Sequence, residues 1–289
     1  MNQFTISDIE TLSGIKAQTL RVWEQRYGIL IPKRKKSKHR IYDNEDLKEV
    51  LSIAHLNRAG IKISKIASMT PEERNLLTSS NNFGSSDLKT DIQLFIDAGL
   101  NLDEIKFQKI YDSILPKIGF EQVVMHVFYP LLQQIGKSWI GNQIKPAHEH
   151  FICEQITRKI DIEIQKLPLV KRGKITLLLL PEGEFHRLPL LFIMYLMRKN
   201  GKRVVYLGAD TTMEIIQQYL AKRSADYIHI HLITDFFHYQ ADKYFKKLIH
   251  ICKEQHIIVS GPIAASLEFE HARITKLTSM QALLNHIYA

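Results

Sequence analysis

The chain has 289 residues, a formal net charge of +9 and a pI near 9.3, enough for two or three domains that each bury a core. Its two cysteines, Cys153 and Cys252, lie far apart in apolar surroundings without a Cys-x-x-Cys; this excludes a disulfide framework and implies buried free thiols in a reducing compartment. No signal-like segment and no apolar run of membrane-spanning length occurs, so a cytoplasmic protein is expected.

The basic residues are unevenly placed. Residues 1–75 hold 14 Lys and Arg against 9 Asp and Glu, a net of +5 in a quarter of the chain, whereas the other 214 positions carry +4. A local excess of this kind is the electrostatic footprint of phosphate contacts.

In that segment, apolar positions recur at helical spacing on both sides of Ser13-Gly14, which predicts two short helices meeting at a tight turn. The second helix places Lys16, Gln18, Thr19 and Arg21 near its exposed N-terminal end, where a recognition helix meets base edges and phosphates. The stretch Lys33-Arg34-Lys35-Lys36-Ser37-Lys38-His39-Arg40-Ile41-Tyr42 suits a β-hairpin wing. Arg26, Arg34, Lys36, Arg40 and Tyr42 are expected to position the DNA backbone, with Gln18 and Arg21 at base edges or nearby phosphates.

Asp43 or Asn44 can cap a further helix through Leu47, Val50, Leu51 and Ala54, followed after Arg58-Ala59-Gly60 by a short helix with Ile61, Ile63, Ile66 and Ala67. Residues 76–86, rich in Ser and Asn, predict a linker. From 87 to 168 the pattern is helical, with four amphipathic segments suited to a small bundle and a kink at Pro130. At Ile175 an unbroken apolar run begins a strand buried on both faces. Strand-like runs at Arg203–Leu207, Tyr227–Ile233, Ile257–Ser260 and around Ile274 then alternate with helices. The expected fold is therefore multidomain α plus α/β: a winged helix-turn-helix (1–75), a four-helix bundle (87–168) and a doubly wound parallel sheet of flavodoxin-like or Rossmann-like type (169–289).

The run Thr19-Leu20-Arg21-Val22-Trp23-Glu24-Gln25-Arg26-Tyr27-Gly28, with the wing end Arg40-Ile41-Tyr42, resembles the DNA-binding domain of the MerR family of transcriptional regulators. The remainder resembles the cobalamin-binding module of its CarH/LitR group. Trp139 is followed after nine residues by Glu149-His150, the pattern that caps the upper face of the corrin and its adenosyl group in that family. Gly183-Glu184-Phe185-His186 is similar to the motif whose histidine is the lower cobalt ligand, and Leu207–Thr211 to the turn after the second strand. The resemblance implies adenosylcobalamin as cofactor, with Trp139, Glu149, His150, Glu184 and His186 around it and His186 on cobalt. Glu184 or Asp210 could orient that imidazole. His148-Glu149-His150 is not a zinc site by its spacing, since adjacent helical residues diverge.

The sequence departs from the family pattern at several places. Pro189 stands where a glycine lets the backbone approach the buried nucleotide tail; Ile230 and His231 stand where a small serine faces it. Ser260-Gly261 replaces Gly-Gly, and Ile140 takes the place of a second histidine that light-sensing members carry.

The expected function is a sequence-specific DNA-binding regulator, a repressor, acting as a dimer or tetramer on double-stranded operator DNA. Its C-terminal module would sense cobalamin or a related ligand and control oligomerisation, with light response as a further family property. One alternative is a cobalamin-independent regulator whose C-terminal module only mediates assembly. Another is a cobalamin-dependent enzyme subunit, against which stand the lack of a substrate barrel, a Ser-His-Asp set, a P-loop or a metal cluster.

Overall fold

Phe4 and Tyr42, both buried, exchange backbone hydrogen bonds (2.7 and 2.9 Å) and so close the N-terminal domain on itself. The computed structural model describes residues 4–13, 15–29, 33–34, 40–58, 60–70, 73–74, 77, 88–140, 145–233 and 241–288. The chain divides into two compact units, Met1–Ile156 and Thr157–Ala289.

In the first unit, α1 (Ile6–Ser13) and α2 (Ala17–Tyr27) form the helix-turn-helix. The Ser13 hydroxyl donates to the Ile9 carbonyl (2.6 Å) and accepts from Ile15 N–H (3.2 Å), while the Glu10 carboxylate accepts from Ala17 N–H (3.0 Å). Helix-terminal N–H groups need such partners, and here the turn supplies them from α1. Gly28 ends α2 in the left-handed region (φ 64°), its N–H returning to the Glu24 carbonyl. The wing is the antiparallel pair β1 (Lys33–Arg34) and β2 (Arg40–Ile41). Asp43 caps α3 (Asn44–Arg58): its carboxylate accepts from Glu45 and Asp46 N–H, and Asp46 accepts from Asp43 N–H at 2.8 Å. That reciprocal capping box pins the helix start. The short α4 spans Ile63–Ala67.

The predicted linker, apart from Leu77, lies outside the described residues. Helix α5 (Leu88–Leu100) is buried nearly all round because α1 and α3 pack on one part of it and α6 (Glu104–Ile118) on another. A helix buried on every side must find partners on every side. Phe95 meets Phe107 and Phe128 with ring centroids 4.6 and 5.6 Å apart. A Cβ on Gly99 would lie 2.2 Å from Ile152 Cδ1, so any larger residue would force the Ile152 side chain to move where α5 meets α9 (Pro146–Gln165).

The expected kink at Pro130 takes a particular form. A short α7 (Phe120–Val123) passes through a π turn (Val124–Phe128) into α8 (Tyr129–Ile140). Proline lacks the N–H that the His126 carbonyl would otherwise receive, and the widened turn just upstream accommodates the break. Helix α8 packs on both α1 and α5.

The second unit is a five-stranded, all-parallel sheet in the order β4-β3-β5-β6-β7. The strands are β3 (Ile175–Pro181), β4 (Arg203–Thr211), β5 (Tyr227–His231), β6 (His256–Ser260) and β7 (Ile274–Leu277). The connecting helices are α10 (Arg187–Lys199), α11 (Met213–Leu220) and α12 (Ala241–Ile251), and α13 (Met280–Tyr288) follows β7. One expectation is corrected: a 3-10 segment, Pro262–Ala265, rather than an α-helix joins β6 to β7. Its entry glycine, Gly261, has φ 103° and packs too close to the Leu232 carbonyl for any side chain.

Strand alternation divides the interior. Leu177, Leu179, Ile228, Ile230, Ile257 and Val259 join Met213, Ile216, Phe245 and Leu248 in one core. Leu178, Leu180, His229, His231, Ile258 and Ser260 therefore face the opposite layer, under α10 and α13. Cys252 is buried and Cys153 half-buried; both are free thiols whose pKa burial raises, to about 12 and about 11. No described helix is long and apolar enough to cross a membrane.

Candidate DNA-binding surface and ligand site

Helix α2 buries Leu20 and Trp23 and turns Gln18, Arg21, Val22, Gln25 and Arg26 outward. Gln18, Arg21, Val22 and Gln25 share one face by their three- and four-residue spacing, with exposed Lys16 at its N-terminal end and half-buried Thr19 beside it. Val22 and Gln25 are absent from the sequence-derived contact set. The i, i+4 offset from Gln18 and Arg21 was the signal that could have found them. A 45% exposed valine on such a face suits a thymine methyl.

Arg40 does not stand alone on the wing. Its Nε donates to Glu24 Oε2 at 2.8 Å, which ties β2 to the recognition helix and raises the guanidinium pKa, chiefly through that bond. Tyr42 requires a correction: with 1% exposure it is a core residue, and burial raises its phenol pKa. Its backbone pairing with Phe4 turns the ring inward, out of reach of a phosphate. Arg26 sits over the Tyr27 ring at 5.9 Å. Arg34 lies in β1, but its side chain, and Lys36 altogether, lie outside the described residues.

At the carboxyl ends of the strands, the sheet order places a topological switch point between β3 and β5, where open α/β sheets bind ligands. The β3–α10 loop delivers Glu184 and His186 there. Glu184 is 3% exposed, and its Oε1 lies 2.6 Å from His186 Nδ1 while also accepting from His186 N–H at 3.2 Å. Oε2 reaches across the switch point to Ile233 N–H, just beyond β5, at 3.4 Å. Asp210, at the end of β4, accepts from Gly183 N–H (2.9 Å) and donates its own N–H to the Glu184 carbonyl (3.1 Å). The loop is thus sewn to both neighbouring strands.

A carboxylate on Nδ1 fixes the imidazole tautomer and makes Nε2 the ligand atom for a metal. The His186 side chain is 58% exposed at this end. This geometry fits a metal-centred ligand approached from the carboxyl ends of the strands. The layer beneath it is different, because His229, His231 and Ser260 fill it. Pro189 occupies the third position of α10, within the first turn, where no intrahelical N–H bond is lost. Ile230 belongs to the opposite core, so His231 alone of that pair faces this layer.

The expected cap residues belong to helices of the bundle. Trp139 and Ile140 lie in α8, with side chains outside the described residues; on α9, Glu149 is half-buried and His150 exposed, whereas His148 is buried. Burial lowers the His148 pKa, helped by Lys145. Among the described residues no group of three or more His, Cys, Asp or Glu is placed to hold a metal ion.

A winged helix-turn-helix, a helical bundle and a five-stranded parallel sheet with a carboxylate–histidine pair at its switch point define a DNA-binding protein with an appended ligand-site architecture. Comparison with known proteins makes the class specific. Residues 4–73 match the MerR HTH family regulatory protein model, and residues 92–162 match the B12 binding domain model. The chain is 23% identical over 237 residues to the HTH-type transcriptional repressor CarH of Myxococcus xanthus, covering 80% of this chain and 79% of that one. To CarA of the same organism, likewise named a transcriptional repressor, it is 27% identical, covering 73% and 70%. The HTH-type transcriptional regulator MlrA of Escherichia coli is 32% identical over 73 residues, 25% of this chain and 30% of MlrA. The fold of the Methanosarcina barkeri monomethylamine corrinoid protein superposes with a TM-score of 0.53 at 10% identity, covering 67% of this chain and 95% of that one. The chain thus pairs a MerR-type HTH segment with a B12-binding-type segment, the make-up of a DNA-binding transcriptional regulator with a cobalamin-sensing module.

Proposed function

We propose that this regulator is a repressor whose C-terminal module senses a corrinoid and thereby controls assembly on double-stranded DNA. In this reading residues 1–75 bind DNA, 87–168 form the cap-like bundle and 169–289 the ligand-binding sheet. Gln18 and Arg21 read base edges, Lys16 and Thr19 support them, and Arg26, Arg34, Lys36 and Arg40 hold phosphates. The observation that carries the ligand half is the Glu184–His186 pair at the switch point. His186 would hold the cobalt through Nε2, Glu184 and Asp210 would hold His186, and Trp139, Glu149 and His150 are the bundle's candidate cap residues. A bound corrinoid would supply a metal centre able to take the His186 imidazole as a ligand. Everything else is linkage: a ligand that favours one assembly state over another shifts the DNA-bound population by its differential affinity.

The adenosyl form is the candidate drawn from the cap residues; Ile140 argues against a light-triggered exchange of ligands at that position. A regulator rather than an enzyme fits the two similar repressors. The filled layer under α10 supports a second reading, in which the sheet serves assembly alone. Mixing the purified protein with adenosylcobalamin in the dark distinguishes them. Binding gives a shifted corrinoid absorbance spectrum that His186→Ala abolishes; an unchanged spectrum with intact DNA binding leaves the assembly reading.

A further inference from the structure

Two imidazoles and one hydroxyl occupy the layer that runs inward from the His186 loop. His231 ends β5 and is 7% exposed; His229, two residues earlier, and Ser260, at the end of β6, are fully buried. The Ser260 Oγ lies 2.8 Å from His229 Nε2 and 2.8 Å from His231 Nδ1. A hydroxyl has one proton to give, so one imidazole accepts from it and the other donates to it. Burial keeps both rings neutral, pushing His229 down to about 3 and His231 to about 4, the latter opposed by the nearby Glu184 carboxylate.

The neighbouring backbone is equally closed. A Cβ built on Gly261 would lie 2.1 Å from the Leu232 carbonyl oxygen, so this glycine serves the contact between the ends of β5 and β6. Leu232 N–H donates to the Ser260 carbonyl at 2.8 Å across the same seam. A nucleotide-sized arm entering beneath the His186 loop would have to displace a bonded His231 and break one of the two hydrogen bonds of the buried Ser260 hydroxyl. The carboxyl end of the sheet, by contrast, presents His186 with its ring already oriented by Glu184.

We propose that the sheet takes a corrinoid by its ring and metal alone, through His186, and leaves the nucleotide arm outside the protein. The ligand class is then corrinoids with or without a complete arm. This rests on the corrinoid reading above, and the experiment separates the two. Full-length protein is titrated in the dark with aquocobinamide, which lacks the arm's nucleotide, and with aquocobalamin, following absorbance. Cobinamide should bind at least as tightly as cobalamin, and His186→Ala should weaken both about tenfold or more. His186 would replace the arm's own base on cobalt, so bound cobalamin should show a narrow arm phosphorus resonance, because an arm released into solvent moves independently of the protein. His231→Ser, which empties the end of β5, should shift preference toward cobalamin. Wild-type protein that binds cobalamin about tenfold or more tightly than cobinamide, with a broad phosphorus resonance, overturns the proposal and keeps the corrinoid reading. Binding of neither overturns both.

Discussion

Acid should loosen the sheet unit through His229 and His231. Both folded-state pKa values lie far below the ordinary 6.5, at about 3 and about 4, because burial disfavours the charged ring. The unfolded chain therefore takes up protons that the fold refuses. The stability these residues permit is complete above pH 6.5 and falls as pH drops from 6.5 toward 4. Each imidazole contributes half of about 1.4 kcal/mol per pH unit at pH 6.5 and nearly the whole of it by pH 5.5, so the pair costs about 3 kcal/mol between pH 6.5 and pH 5. Replacing both by amides, His229→Gln with His231→Asn, removes the titration while keeping partners for Ser260. Amide hydrogen exchange of β5 and β6 peptides, with the intrinsic pH dependence divided out, reads the opening of this unit alone. Wild-type protection should fall about 200-fold more than that of the double variant over this range. His286 and Glu184 are present in both proteins and cancel. Equal pH slopes would mean that the imidazoles do not fill the layer, and the closed interior would be refuted with them.

On the DNA side, Arg21→Ala should cost about 1–3 kcal/mol on the preferred duplex and far less on random DNA, measured by fluorescence anisotropy. Arg40→Ala removes both a phosphate contact and the strut to Glu24. It should weaken preferred and random duplexes alike and flatten the salt slope by about 0.9; an unchanged slope would leave Arg40 a strut only. Gly261→Ala should destabilise the sheet unit by more than about 3 kcal/mol, since a Cβ meets the Leu232 carbonyl and φ is 103°. Near-wild-type exchange protection in that variant would contradict the seam between β5 and β6.

The local signals of this chain carried far. Apolar residues at helical spacing on both sides of Ser13-Gly14 marked the recognition helix, and the six-residue run Ile175–Leu180 marked the central strand, because both follow from backbone periodicity. Glu184-Phe185-His186 is equally local: a carboxylate two residues from an imidazole on one loop is visible in the sequence, and the fold only had to aim it. Tyr42 shows the opposite case. Its place after a basic wing suggests a phosphate contact, but the bridge to Phe4, 38 residues away, turns it inward. The His229–Ser260–His231 cluster depends on the register that sets His231 opposite Ser260, and no spacing within either strand encodes it. The 3-10 link after β6 likewise follows from the close approach of Gly261 to Leu232 rather than from residue preference alone.

The central claim is that a ligand on His186 governs DNA binding. It is tested most directly by measuring the affinity of full-length protein for a duplex selected from a random library, in the dark, with and without saturating corrinoid, for wild type and His186→Ala. The account predicts a shift of about fivefold or more in wild type and superimposable isotherms for the variant. Superimposable isotherms in wild type, with corrinoid bound, would contradict it.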